Sequence, residues 1–397
     1  MANRPDYSSR GGKTDDGTVG MFDRILEDAV AARASDIHLE PREDRLSVRF
    51  RVDGVLIKQK PFPPDMSRTL VSRAKILSGM DISERRVPQD GTFSKVLRGQ
   101  KVNLRCSTFP TSDGEKVVLR LLADSLILTD LGKLGIPTDQ LQTLVRCATA
   151  ASGLVLVSGP TGSGKTSTLH SVLKRLDADK LNIVTLEDPI EIRNPRLNQA
   201  QVNPRVGFTF AGGLRAMLRQ DPDVILVGEM RDLETSQIAF RASLTGHLVF
   251  TTLHTSSTVD TITRLLDIGL EPFLVASSMS VVMAQRLVRV LCPRCREPFE
   301  PTDSMKEILG FPLPPLEKHI YREKGCPDCA YTGYRGRTGL FEVVEITDDL
   351  RGLIKLKSAS DAFKKVLKAS GVPTVRRDGI RKVIAGITTL DEVMRVT

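Results

Sequence analysis

The chain has no tryptophan, four tyrosines and 5% aromatic residues among 397. With so few flat rings, the stacking platforms that hold single-stranded nucleic acid are scarce. No run of about 18 apolar residues occurs, so no segment reads as a membrane-spanning helix. The first twenty residues lack the apolar centre of a signal peptide, and we expect a disordered arm over 1–19 and a chain working in the cytoplasm. Cysteine is also sparse, six residues in all, yet four of them fall in two C-x-x-C pairs. The net charge of +9 would suit an anionic lipid surface or nucleic acid. Solubility with a phosphate-binding site accounts for it equally simply.

What is present is organised around Gly159-Pro160-Thr161-Gly162-Ser163-Gly164-Lys165-Thr166. The pattern is G-x-x-x-x-G-K-[ST], preceded by the apolar run Leu154–Val157 and followed by a helix-compatible run over 165–176. The glycines let successive N–H groups turn toward phosphate oxygens, and the helix start adds a favourable partial positive charge. Lys165 is expected to reach the β- and γ-phosphates and the Thr166 hydroxyl to ligate Mg²⁺, with Ser167 closing the ATP-binding set.

Around this loop the chain divides. Residues 20–125 mix helical spacing at 21–33 with alternating strands and the turn Asp53-Gly54, the pattern of an α+β domain with an antiparallel sheet. Residues 126–150, with Leu-Gly-Ile-Pro and an amphipathic helix, read as a linker into the next domain. From 151, apolar strands (Leu154–Val157, Ile183–Leu186, Val224–Val227, Leu248–Thr252) alternate with helices, the pattern of an α/β parallel sheet buried on both faces. Ligands of such sheets sit at the carboxyl ends of the strands.

Those ends carry polar residues. Glu229, just past the third strand, is the first candidate for a carboxylate that orients water, and Glu187 is the second. Either alone would pass for a helix-capping acid. His247 and His254 flank the last strand, where γ-phosphate sensing competes with an ordinary polar role. Arg215 and Arg219 share a helix face, either as a solvated stripe or as transition-state stabilisers. Cys292, Cys295, Cys326 and Cys329 form two knuckles 30 residues apart. They can supply four thiolates to a structural zinc, with the Pro-rich 311–315 looped out. Cys106 and Cys147 read as core residues.

In this order the phosphate loop, Leu186-Glu187-Asp188-Pro189-Ile190-Glu191, Gly228-Glu229-Met230-Arg231-Asp232 and Thr245-Gly246-His247 to Leu253-His254 resemble the secretion ATPases of type II secretion and type IV pilus assembly. Ala34-Ser35-Asp36-Ile37-His38 and Gly333-Tyr334-Arg335-Gly336-Arg337 extend the resemblance over about residues 20–397. It implies a PAS-like domain (20–125), a RecA-like ATPase core (151–290), a four-cysteine subdomain (291–340) and a C-terminal helical region (341–397). It implies a homo-hexamer peripheral at the inner membrane, driven by ATP and Mg²⁺, with zinc at the cysteines. Its partners would be a membrane platform protein and an adaptor; nucleic acid is not expected. Arg105 and Arg120 match the small-domain arginines that close onto the phosphates in that family. Members that dock through a separate N-terminal domain carry more chain before Ala34, which implies a shortened form or another mode of recruitment here. Type II secretion is the leading expectation and pilus extension the runner-up. A DNA-translocating ring and a nucleotide-binding regulator with little turnover are the readings from other classes.

Overall fold

A computed structural model describes residues 17–122, 130–310 and 319–397. Most of the expected arm, part of the expected linker and the Pro-rich 311–315 lie outside the described residues. The chain separates into two compact units, Met1–Asp124 and Ser125–Thr397.

The first unit runs α1 (Thr18–Ala31), β1 (Ala34–Pro41), β2 (Leu46–Val52), β3 (Val55–Lys58), α2 (Met66–Leu77), β4 (Gln89–Leu97), β5 (Gln100–Thr111) and β6 (Gly114–Leu122). Its sheet has the order β3-β2-β1-β6-β5-β4, with every neighbour antiparallel. Period-two alternation sends Ile37, Leu39, Val48, Phe50, Leu104, Cys106 and Leu119 to one face, where they pack with Phe22 and Leu26 of α1 and Leu70 and Ala74 of α2. Asp53 and Gly54, both at positive φ, make the two-residue turn between β2 and β3.

The second unit starts with α3 (Thr138–Ala148), β7 (Gly153–Ser158), α4 (Lys165–Leu173), β8 (Ile183–Glu187), β9 (Asn198–Gln201), α5 (Phe210–Met217), β10 (Val224–Val227), α6 (Leu233–Leu244) and β11 (Leu248–Leu253). It continues with α7 (Thr258–Asp267), α8 (Pro272–Ser278), β12 (Met279–Leu291), β13 (Glu297–Phe299), α9 (Asp303–Leu309), β14 (Ile320–Arg322) and β15 (Tyr334–Glu345). The helices α10 (Asp348–Lys355), α11 (Ser360–Ala369), α12 (Val375–Ile384) and α13 (Leu390–Val396) close the chain. The sheet order is β15-β12-β7-β11-β10-β8-β9, parallel except for β15. Alternate residues of each strand serve opposite faces. Leu154, Leu156, Ile225 and Val249 pack under α5–α8, while Val155, Val157, Leu226 and Phe250 pack under α3 and α4. This is the α/β layer architecture expected from residue 151 onward.

Part of the segment read as linker is α3, whose Leu144, Cys147 and Ala148 lie in the core of the second unit. Gln140 of α3 accepts from the Val343 N–H at 2.9 Å. An amphipathic helix beside a loop signal gave no hint of which sheet it would cover.

Candidate nucleotide site

The parallel register puts the ends of β7, β8, β10 and β11 at one edge. The phosphate loop leaves β7 there and enters α4. Gly159, Gly162 and Gly164 all have positive φ, and Gly164 is the residue before the first turn of α4. A Cβ on Gly159 would stand 2.5 Å from the Gln285 carbonyl oxygen, so glycine is required by space as well as by φ. Pro160, Thr161 and Gly162 are exposed, Ser163 is buried, and Thr166 and Ser167 are half-buried at the helix start.

Lys165 is 9% exposed and folds back on the loop, donating to the Gly159 carbonyl at 2.8 Å and to that of Pro160 at 3.2 Å. Burial lowers its pKa, opposed by the charges of Glu229 and Glu191. An ammonium parked on neutral carbonyls can exchange them for phosphate oxygens at a gain, because the charge-assisted bond is the stronger one.

Glu229 follows β10 after Gly228. A Cβ on Gly228 would press on the Leu186 carbonyl and the Glu187 Cα at 3.3–3.4 Å, which explains the glycine before the acid. Glu229 Oε1 accepts from Arg231 Nε at 2.7 Å and Oε2 lies 3.0 Å from His254 Nε2. Arg231 also reaches Asp188 at 3.5 Å. Glu229 and His254 therefore meet at the strand-end edge, and the Glu229 charge acts on Lys165.

The other expected residues make different contacts. Glu187 ends β8 pointing inward, 3% exposed. Its Oε1 accepts from Thr185 Oγ1 at 2.7 Å and Gln199 Nε2 at 3.0 Å, and its Oε2 faces His170 Nε2 at 3.5 Å. Burial works against its ionisation, but the bonds from His170, Thr185 and Gln199 win and hold its pKa down. His247 stands at the start of β11, the end of the sheet away from the loop. Its Nδ1 lies 2.9 Å from the Ala242 carbonyl, and its own carbonyl accepts from the Gly153 N–H. Arg215 pairs with Glu234 of α6, and Arg219 donates to the Arg215 carbonyl at 2.9 Å.

Two groups at the loop were missed from the sequence. Glu191 is exposed, four residues beyond Glu187, and its charge acts on Lys165. The signal was position: Glu187 is the last residue of a strand buried on both faces, and Glu191 lies in the exposed loop after it. Arg231 was quoted in a motif but given no role, although a cation two residues after an acid is within reach of it.

In the first unit Arg105 and Arg120 stand directly opposite each other on β5 and β6. Arg120 Nε donates to Asp36 Oδ1 at 2.8 Å, and Arg105 is exposed.

Further along the second unit, the sulfurs of Cys292, Cys295, Cys326 and Cys329 all lie within 4.8 Å of one another. Burial raises the Cys329 thiol, but the backbone N–H groups of Cys326 and Gly333 point at its sulfur and bring it down to about 7. Burial among the other three sulfurs pushes Cys295 up to about 12. Four thiols that cannot all ionise without a cation, with two N–H groups aimed at one sulfur, fit a tetrahedral metal such as zinc.

The profile of the family described as Type II/IV secretion system protein matches residues 13–395. The chain is 49% identical over 380 residues to the Type II secretion system ATPase E of Vibrio cholerae serotype O1, covering 96% of this chain and 75% of that one. It is 44% identical over 379 residues to the Type IV pilus assembly ATPase PilB of Myxococcus xanthus, covering 95% and 67%. Among solved structures, the pilus retraction motor PilT with bound ADP aligns with a TM-score of 0.62 at 27% identity, over 94% of this chain and 96% of that one. The Legionella pneumophila ATPase DotB aligns at 0.70 and 22% identity, over 97% of each chain, a likeness of fold. With a phosphate loop, a poised lysine and an oriented carboxylate on such a chain, the protein belongs to the Type II/IV secretion system protein family and is an ATP hydrolase of it.

Proposed function

We propose that this ATPase is the motor of a type II secretion system. It works as a homo-hexamer on the cytoplasmic face of the inner membrane, driving a platform protein through an adaptor. The observation that carries the reading is the Lys165–Glu229–His254 cluster on a chain 49% identical to a Type II secretion system ATPase E. ATP would bind on loop N–H groups such as those of Thr161, Gly162 and Gly164, and Thr166 would hold Mg²⁺. Glu229, oriented by His254 and Arg231, positions the attacking water, and Glu191 adds its negative charge beside Lys165. The cysteine cluster holds one structural zinc.

Arg105 and Arg120 supply the response to nucleotide. Like charges directly opposite on adjacent strands are unfavourable. One neighbouring carboxylate, Asp36, offsets only part of that here, and a polyphosphate would supply the rest. Loss of the terminal phosphoryl weakens the attraction, and only such differential binding lets a nucleotide drive motion.

The test is complementation of a secretion-deficient strain lacking its own motor, with parent and Glu229→Gln. Restored export by the parent alone supports the reading. Restored pili without export would favour pilus extension, the reading that the 44% identical PilB supports. The ATPase rate is measured alongside, with and without DNA over a salt series; strong stimulation that salt abolishes would point to a DNA-translocating ring.

A further inference from the structure

β12 runs parallel to β7 and outlasts it. Met283 and Ala284 stand opposite Val157 and Ser158, the last two residues of β7, and Gln285 is the next residue on β12. The strand therefore delivers an amide side chain to the level of the phosphate loop. Gln285 is 2% exposed. Its Nε2 donates to the Ser163 carbonyl at 2.8 Å, and its Oε1 accepts from Thr168 Oγ1 of α4 at 2.8 Å. A Cβ on Gly164 would stand 2.9 Å from that Nε2, so Gly164 leaves the space the amide occupies.

The geometry points to Gln285 as the positioning residue of the phosphate loop: it fixes the Ser163–Gly164 peptide so that the Gly164 N–H faces the phosphate. The C=O and N–H of a trans peptide point in opposite directions in one plane. A loop that aims its N–H groups at an anion must aim carbonyls back into the protein. A buried carbonyl without a donor costs about 1–3 kcal/mol. Gln285 gives the Ser163 carbonyl its donor, and this holds the attached N–H on the opposite side. The Ser163 carbonyl can only accept, so it fixes which end of the amide faces the loop, and the Thr168 hydroxyl, donating to Oε1, anchors the other end. Gln285 touches no reacting atom; it acts through the loop.

The inference rests on the loop being the nucleotide site, and the experiment separates the two. Fluorescent ATP is titrated into the full chain carrying Gln285→Met, which keeps the volume and loses both bonds, and Thr168→Val, which loses only the anchor. Melting temperature, kcat and KM are read in parallel. The expected result for Gln285→Met is a nucleotide Kd and a KM raised about tenfold, the equivalent of one hydrogen bond, with kcat lowered less and the melting temperature held within a few degrees. Thr168→Val gives a smaller rise, and the double variant is no weaker than Gln285→Met, since both act through one amide. A Gln285→Met protein that binds and turns over ATP within twofold of the parent overturns the inference. If Gln285→Met does not fold, a Thr168→Val protein with the parent's affinity overturns it in its place. Failure of the parent itself to bind ATP would instead remove the nucleotide reading.

Discussion

His254 Nε2 and Arg231 Nε each take a different oxygen of Glu229, at 3.0 and 2.7 Å. Groups from two loops thus hold both oxygens of the carboxylate. Glu229→Gln keeps the shape and loses the charge that orients water. Its kcat is expected to fall about 10²- to 10⁴-fold while ATP affinity changes little. His254→Ala, which frees one oxygen, should cost about tenfold. Steady-state hydrolysis with equilibrium ATP binding checks both, and a Glu229→Gln enzyme turning over like the parent would contradict the assignment.

Lys165→Ala removes the ammonium lodged against the loop carbonyls of Gly159 and Pro160. Nucleotide binding or turnover should be lost. The core packing of β7 and α4 is apolar and independent of this side chain, so the far-ultraviolet circular dichroism should not change. Retained ATPase would show that the loop is not the site.

Glu187 and Glu191 should behave differently. Glu187→Gln disturbs a buried set with Thr185, Gln199 and His170, so its main effect is expected on the melting temperature. Glu191→Gln leaves the fold alone and removes a charge that acts on Lys165, so its effect is expected on kcat, about tenfold or more. A Glu191→Gln enzyme of parental rate, with Glu187→Gln inactive but fully stable, would reverse these roles.

The sheet of the second unit was legible because its strands are uninterrupted apolar runs, and the loop because only one backbone path fits its glycines. The cysteine cluster was legible from spacing alone. What was hidden came from contacts distant in sequence. Gln285 lies 122 residues from Ser163, and nothing local to either announces the bond. His247 and His254 looked equivalent because both flank β11. A six-residue strand separates them by its whole length, and only one reaches the edge where Glu229 lies. Glu187 and Glu229 both follow apolar runs, and only the distant partners Gln199 and His170 show that Glu187 is enclosed.

Protein prepared without chelators should carry about one zinc per chain. Chelation or Cys292→Ser should speed hydrogen exchange at Cys292–Cys295 and Cys326–Gly333, where Cys292 N–H bonds the Gly333 carbonyl at 2.9 Å. ATP affinity should stay near the parent's, because among the described residues the loop makes no bond to the cysteines. Metal analysis finding no zinc would refute the site; lost ATP binding on chelation would show the two are coupled.

Glu392 anchors α13 to β12, and acid should release it. Its carboxylate is 2% exposed and accepts from the Arg289 N–H at 3.0 Å, Arg289 Nη2 at 2.7 Å and Arg395 Nη2 at 2.8 Å. Burial alone would raise its pKa from 4.5, but the bonds from Arg395 and Arg289 outweigh it and bring the value to about 2. A folded pKa below the unfolded one means the contribution is whole above about pH 4.5 and is lost as the pH falls toward 2. The parent and Glu392→Gln should therefore differ most at pH 7, with faster amide exchange in α13 of the variant, and converge on acidification. Glu40 in the first unit is also lowered to about 2, by Arg49 and Lys116 against its burial, so whole-protein melting would mix the two. Exchange read at Leu390–Val396 isolates Glu392, and an equal difference between parent and variant at pH 7 and pH 3 would rule this anchor out.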